Sequence, residues 1–137
     1  YLLLLHVSGK KPLTESRLCA EDFICTYAAD FGFAVENLNG SSGYRYGEYA
    51  SRCRMANGAI RYLVLRGLIK PNANAQGFTY KITDAGIEYC SALNSVYADS
   101  YCQLAYMVIE QYAYITDTEL VRQIWSKASS ERRETNY

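Results

Sequence analysis

The stretch from Tyr46 to Cys90 narrows the choice of fold more than any other part of the chain. Tyr49, Cys53, Ala56, Ile60, Leu63 and Val64 recur at steps of three and four, which places them on one face of a helix over 46–67. Gly67 is the natural terminator of that helix. Leu68-Ile69-Lys70 then reads as a short strand, Pro71–Gly77 as a turn-rich loop, and Phe78–Ile82 alternates as the return strand. Thr83 caps another helix, with Asp84 at its positive end. A helix that runs into a hairpin and out into a second helix has few ways to bury its apolar face.

The flanks are helical in pattern. Tyr1–Ser8 reads as a short helix stopped by Gly9 and Pro12, and Thr14 caps a helical region over 15–30 that carries Leu18, Phe23, Ile24 and Tyr27. Residues 37–43 form a loop by composition, and no strand of any length is expected in this half. After Gly86 no breaker occurs before 112–114, so one helix of ~40 Å is expected over about 84–112. Its stripe is Cys90, Leu93, Tyr97, Tyr101, Leu104, Val108 and Tyr112, with Tyr89, Ala92, Val96, Tyr106, Met107 and Ile109 as further apolar area. Thr116–Glu119 has the capping-box pattern and opens a last helix over about 117–128, with Leu120, Ile124 and Trp125 on its apolar side; the polar tail 129–137 is expected to fray. The fold class is mainly α with a small β-hairpin wing and long C-terminal helices, in one domain over 1–137.

Composition excludes several classes of function. Half of the 137 residues are apolar, which supports a core without metals or disulfides. No apolar run approaches the ~20 residues of a membrane span. The opening Leu2–Leu5 run reads as an element already under way, and without a basic flank or a small-residue cleavage site it makes a poor signal peptide. Cytoplasmic localisation is the expectation. The five cysteines show no Cys-x-x-Cys spacing and read as scattered, buried thiols. Fourteen basic and fourteen acidic residues balance, against a generic polyanion binder. Yet residues 52–81 carry six basic groups and no acidic one. Fourteen tyrosines fit either a contact surface or a tyrosine-rich core whose hydroxyls reach water.

Two segments carry a family resemblance. Residues 59–69 (AIRYLVLRGLI) resemble a recognition helix entering the first wing strand of winged-helix proteins, a variant of helix-turn-helix. Residues 78–90 (FTYKITDAGIEYC) resemble the second wing strand and the Thr-Asp-x-Gly helix start of MarR- and PadR-like repressors. Together with the Tyr1–Val7 helix and residues 97–112 (YADSYCQLAYMVIEQY), the chain resembles the winged-helix middle components of bacterial three-component ABC ATPase systems, including Lamassu-type anti-phage and anti-plasmid defence. That resemblance implies a non-enzymatic adaptor linking an SMC- or Rad50-like ATPase to an effector such as a nuclease. The alternative it leaves open is a homodimeric MarR- or PadR-like repressor.

Projection of helix 46–67 puts Tyr49, Cys53, Ala56, Ile60 and Val64 toward the core and Met55 and Tyr62 at the outward centre. Arg54 and Arg61 flank one side with Leu65, and Arg52 and Arg66 lie toward the other. Base reading calls for Arg, Lys, Asn or Gln at that centre. A thioether and a phenol fit a protein interface better. Met55, Tyr62 and Leu65 are therefore candidate anchors, with Tyr97, Tyr101 and Tyr106 as a second surface that could pair with a dimer mate or another protein. Arg52, Arg54, Arg61, Arg66, Lys70 and Lys81 are candidates for polar or non-specific DNA phosphate contact. His6 has no nucleophile–carboxylate partner set and reads as a structural histidine. The run Asn39–Gly43 lacks the end of a P-loop and reads as a connector, and Glu15, Glu21, Asp22 and Glu36 read as solvated helix faces. No catalytic residue, metal site or cofactor is expected.

Overall fold

The computed structural model describes residues 1–38, 40, 45–75 and 77–135. The chain is mainly helical with a small antiparallel sheet: α1 (Leu2–Ser8), β1 (Leu13–Thr14), α2 (Glu15–Thr26), a 3-10 turn (Ala28–Phe31), α3 (Arg45–Leu65), β2 (Ile69–Asn74), β3 (Gly77–Ile82), α4 (Asp84–Ala92), α5 (Val96–Gln111) and α6 (Asp117–Thr135). The sheet order is β1-β3-β2, with Leu13 opposite Tyr80 and Ile69 opposite Ile82. Expected elements appear at α1, α2, α3, the hairpin and the start of α4. The two-residue strand β1 has no counterpart in the sequence reading, because it is too short to show a period.

Helix α2 is the centre of the fold. Leu18, Cys19, Ala20, Phe23, Ile24 and Cys25 are buried on it, and it packs against α3, α5 and α6. The Phe23 ring lies 4.9 Å from Tyr49, 5.0 Å from Tyr27, 5.7 Å from Tyr46 and 6.2 Å from Phe31, and Tyr49 reaches on to Trp125 at 5.4 Å. Rings at these separations attract beyond their area of burial.

The same helix carries a buried polar knot. Arg17 Nε donates to Glu21 Oε1 at 2.8 Å. Its Nη1 donates to Ile115 O at 2.8 Å and to Asp117 Oδ1 at 3.4 Å, and its Nη2 donates to Tyr112 O. The Thr14 hydroxyl caps α2 by accepting from Arg17 N at 3.1 Å and donates to Asp117 Oδ2 at 2.6 Å. The planar guanidinium thus holds α2, the end of α5 and the start of α6 in one place. Glu21 and Asp22 correct the expectation of solvated carboxylates. Glu21 is buried under Arg17, and Asp22 accepts from the Tyr101 hydroxyl and from Arg52. Glu15 accepts from Asn57 Nδ2 at 3.3 Å.

The base of the hairpin is equally tight. Gly67 sits at φ 71, and the bonds Gly67 N to Val64 O and Leu68 N to Leu63 O close α3 in a Schellman arrangement. Thr83 caps α4 by accepting from Gly86 N at 3.1 Å and donates to Gly67 O at 2.7 Å. A Cβ on Gly86 would meet Leu68 O at 2.2 Å and Ile82 Cγ1 at 2.6 Å. The glycine of the Thr-Asp-x-Gly start is there because α4 presses against the hairpin backbone. Pro71–Asn74 extend β2 instead of forming a loop. Pro71 is tolerated because β2 is an edge strand.

Three expectations are corrected. The single helix over 84–112 is two. Leu93 takes an extended conformation, and Ser95 restarts the chain by accepting from Ala98 N at 3.0 Å, with Asp99 in the first turn. The last helix runs on to Thr135, past the expected end near Ala128. Cys53, assigned to the core face of α3, is exposed. The Asn39–Gly43 connector lies outside the described residues except for Gly40. Thr116 caps α6 as expected, accepting from Glu119 N at 3.1 Å, while the Glu119 carboxylate turns to Arg122 at 2.7 Å.

Arg17→Met leaves the buried Glu21 carboxylate without its donor and takes a donor from the Tyr112 and Ile115 carbonyls. The expected loss is about 3–5 kcal/mol, read from the urea midpoint at constant m. Gly86→Ala has no flexible neighbour to yield against Leu68 O, so a loss of about 1–3 kcal/mol by the same measurement is expected. Burial raises the Glu21 pKa above the ordinary 4.5, against the opposing pull of Arg17. A raised folded value favours the protonated acid on folding. Its contribution is therefore complete below the unfolded pKa and is lost as pH rises through the folded one. The melting temperature of Glu21→Gln should accordingly gain on wild type as pH climbs from about 4 toward about 7. A constant difference across that range would contradict the assignment.

Candidate functional site

Helix α3 lies on α2 through Tyr46, Tyr49, Ala56 and Ile60, all buried. Its opposite face is open. Met55 is 70% exposed, Tyr62 57% and Leu65 84%. These three are the expected outward residues, and the structure places them there. Arg54 and Arg61 are exposed beside them. Arg66 folds onto Tyr62, donating from Nη1 to the phenol oxygen at 2.9 Å with its guanidinium carbon 5.5 Å from the ring centre. The pair presents one flat, rigid surface in which the phenol oxygen already accepts a bond.

Two shallow grooves flank this ridge. One is lined by Ile60, Arg61, Val64, Leu65, Pro71, Phe78 and Tyr80. The other is lined by Tyr1, Leu2, Ala59, Tyr62, Leu63, Arg66, Leu68 and Tyr89. Phe78 and Tyr89 are exposed. Sequence reasoning passed over Phe78 as a contact residue, although the alternation over 78–82 already puts Phe78 and Tyr80 on one face of the strand.

The basic residues do not form one surface. Arg52 turns inward. Its Nη2 lies 3.1 Å from Glu48, and its Nη1 lies 3.0 Å from Thr26 Oγ1 and 3.5 Å from Asp22. It is an internal tie between α2 and α3, which removes it from the candidate contacts. Lys70 stands directly opposite Lys81 across the hairpin, so the two share a face. Pro71 and Tyr80, the adjacent pair, take the other face and line the groove on α3. Both lysines instead border a cleft with His6, Lys10 and Asn72. His6 is half-buried, as expected.

The second surface divides in the same way. Tyr101 is 4% exposed, and its hydroxyl donates to Asp22 Oδ1. Burial first, then the Asp22 carboxylate, holds this phenol well above its usual pKa. Tyr101 is a core residue and leaves the set of candidate contacts. Tyr97 and Tyr106 are exposed, with Val96 and Met107. The break at Leu93–Ser95 explains the split. Ala98, Tyr101, Leu104, Ala105 and Val108 face the core, while Tyr97, one turn before Tyr101 and stacked on it at 6.5 Å, lies in the exposed first turn that the break creates. Among the described residues, no cluster of three or more His, Cys, Asp or Glu could hold a metal ion, and no helix is long and apolar enough to cross a membrane.

No curated protein and no solved structure matches the chain at a significant level. A family model does, over residues 1–134, which is nearly the whole chain: that of the ABC-three component (ABC-3C) system Middle Component 2. Membership in a multi-component system implies protein partners, in keeping with an exposed Met-Tyr-Leu ridge. The chain therefore belongs to the Middle Component 2 family of ABC-three component systems.

Proposed function

We propose that this middle component is a non-enzymatic adaptor with a winged-helix body, binding its partners through the outward face of α3. The observation that carries this reading is the character of that face. Met55, Tyr62 and Leu65 stand in the open where a base reader needs hydrogen-bonding groups, and the Tyr62 oxygen is engaged by Arg66. Large rigid aromatics beside arginine are the usual anchors of protein interfaces. The winged-helix assignment is supported by the element order α1-β1-α2-α3-β2-β3 and by a sheet in which β3 lies between β1 and β2. The resemblance of the sequence names the partners: an SMC- or Rad50-like ATPase on one side and an effector such as a nuclease on the other, in anti-phage or anti-plasmid defence. The adaptor would couple them by contacting two ATPase states unequally. Exposed Tyr106 and Met107, neighbours on the outward side of α5, supply a second surface for a three-body arrangement, with exposed Tyr97 apart from them at the helix start.

The alternative is a homodimeric MarR- or PadR-like repressor. Exposed Arg54 and Arg61 on α3 favour it, since they can hold phosphates without reading bases.

The two readings part in one experiment. Co-purification of the chain with the other components of its system should weaken by about 5- to 150-fold in Tyr62→Ala, the equivalent of about 1–3 kcal/mol, with unchanged melting temperature. The isolated chain should show no sequence-specific duplex binding near 100 mM salt. Unchanged co-purification of Tyr62→Ala would overturn the adaptor reading. So would specific duplex binding with a steep salt dependence that Arg61→Ala abolishes.

A further inference from the structure

Two cysteines 34 positions apart in sequence meet where α2 and α3 cross. Cys19 Sγ and Cys53 Sγ lie 3.2 Å apart. Cys19 is buried on α2, whereas Cys53 is exposed on α3. The two sulfurs face each other across the crossing of α2 and α3. A disulfide needs sulfurs about 2.0 Å apart, so closure asks for a movement of about 1.2 Å between two side chains that already face one another. The arrangement has the two parts that thiol oxidation needs: a cysteine at an exposed position and a second sulfur close to its own.

We propose that Cys19 and Cys53 are an oxidation site, closing to an intramolecular disulfide in response to a peroxide. The exposed Cys53 reacts first. Its thiolate attacks one oxygen of hydrogen peroxide, the O–O bond breaks, and hydroxide leaves and is protonated to water. Cys53 becomes a sulfenic acid. The Cys19 sulfur then attacks Cys53 Sγ, the S–O bond breaks, and the departing hydroxide takes the Cys19 proton to form a second water. Two thiols lose two electrons and two protons, and one peroxide is reduced to two waters. Burial pushes the Cys19 thiol up to about 12, which suits it to follow and not to lead. Closure ties α2 to α3 across the 28–44 connection, and so fixes the helix that carries Met55 and Tyr62 to the centre of the fold. The inference rests on the thiol geometry alone and stands whether or not α3 binds a partner.

The test uses the whole chain. After brief treatment with a small excess of hydrogen peroxide, the unfolded protein should take up three alkyl groups from iodoacetamide in place of five. Dithiothreitol should restore five. Fragment mass spectra should join Cys19 to Cys53, and the melting temperature should rise by roughly 10 °C, as closing a loop of this length entails. Cys53→Ser, at an exposed position, should lose both the link and the rise in melting temperature, while Cys25→Ser should keep both. Retention of five alkylatable thiols would overturn the proposal. A link joining any other pair, or sulfinic acid at Cys53 with Cys19 still free, would do the same.

Discussion

Arg17 is the residue on which the arrangement of helices depends. A guanidinium buried on the central helix has to satisfy its donors inside the protein, and the acceptors it finds are not local. Only Glu21 is on the same helix. The carbonyls of Tyr112 and Ile115 and the Asp117 carboxylate belong to the end of α5 and the start of α6. Helix ends leave carbonyls without intrahelical partners, so the α5 terminus needs a donor as much as Arg17 needs acceptors. The knot settles two problems of unsatisfied polarity together, and it fixes where α6 begins. From there Leu120 and Ile124 turn into the core, and Trp125 reaches Tyr49. Removing one partner from such a knot is far more damaging than replacing the whole by apolar groups would be. That difference is what makes it a determinant of geometry more than a source of net stability.

With α2 enclosed on several sides, α3 is left as a helix with one neighbour-facing side and one open side. Its inner side is fixed by the Phe23 ring cluster and by Arg52, which crosses back to Asp22 and Thr26. Its C-terminal end is fixed by Gly67 and the Thr83 hydroxyl. A helix held at its C-terminal end and along one face presents its other face as a firm surface. Rigidity lowers the ordering cost of association, so a modest ridge of Met55, Tyr62 and Leu65 can contribute more than its area implies.

Much of this was legible in the sequence, and the failures have identifiable causes. The 3.6-residue period over 46–67, Gly67 and Thr83 placed α3, the hairpin and α4 correctly, because each is governed by local chemistry. The outward position of Met55 and Tyr62 followed from the same period. The helix over 84–112 was misread because apolar residues continue through Leu93 and Val96 and mask the Asn94-Ser95 step. Ser95 with Asp99 behind it is a cap signal of ordinary strength, and it outranked the periodicity. Tyr101 was named for the second surface, although the stripe it shares with Leu104 and Val108 is the buried one. Asp22 was read as solvated and Arg52 as an outward polar contact because the groups that tie them, Tyr101 and Thr26 among them, lie on other helices, while the Arg17–Glu21 spacing of four was visible but its burial was not. No pattern within one helix announces a long-range ion pair. The meeting of Cys19 and Cys53 is of that kind too, since spacing rules for cysteine pairs describe local motifs and not helix crossings.

The basic run over 52–81 shows the same limit. Along the chain it is unbroken. In space, Arg52 is drawn into the interior, Arg66 is laid over Tyr62, and strand parity sends Lys70 and Lys81 to the face opposite Pro71 and Tyr80. A groove lined by Leu65, Phe78 and Tyr80 therefore has Arg61 as the one basic residue along its wall. Phosphate-tracking surfaces concentrate positive charge along a single line, because affinity rises with the number of phosphates neutralised together. Here the folding of the hairpin disperses that charge and gathers the apolar residues instead. The alternation that makes a strand pair amphipathic has separated what the sequence placed side by side, and the face left beside α3 is mainly apolar.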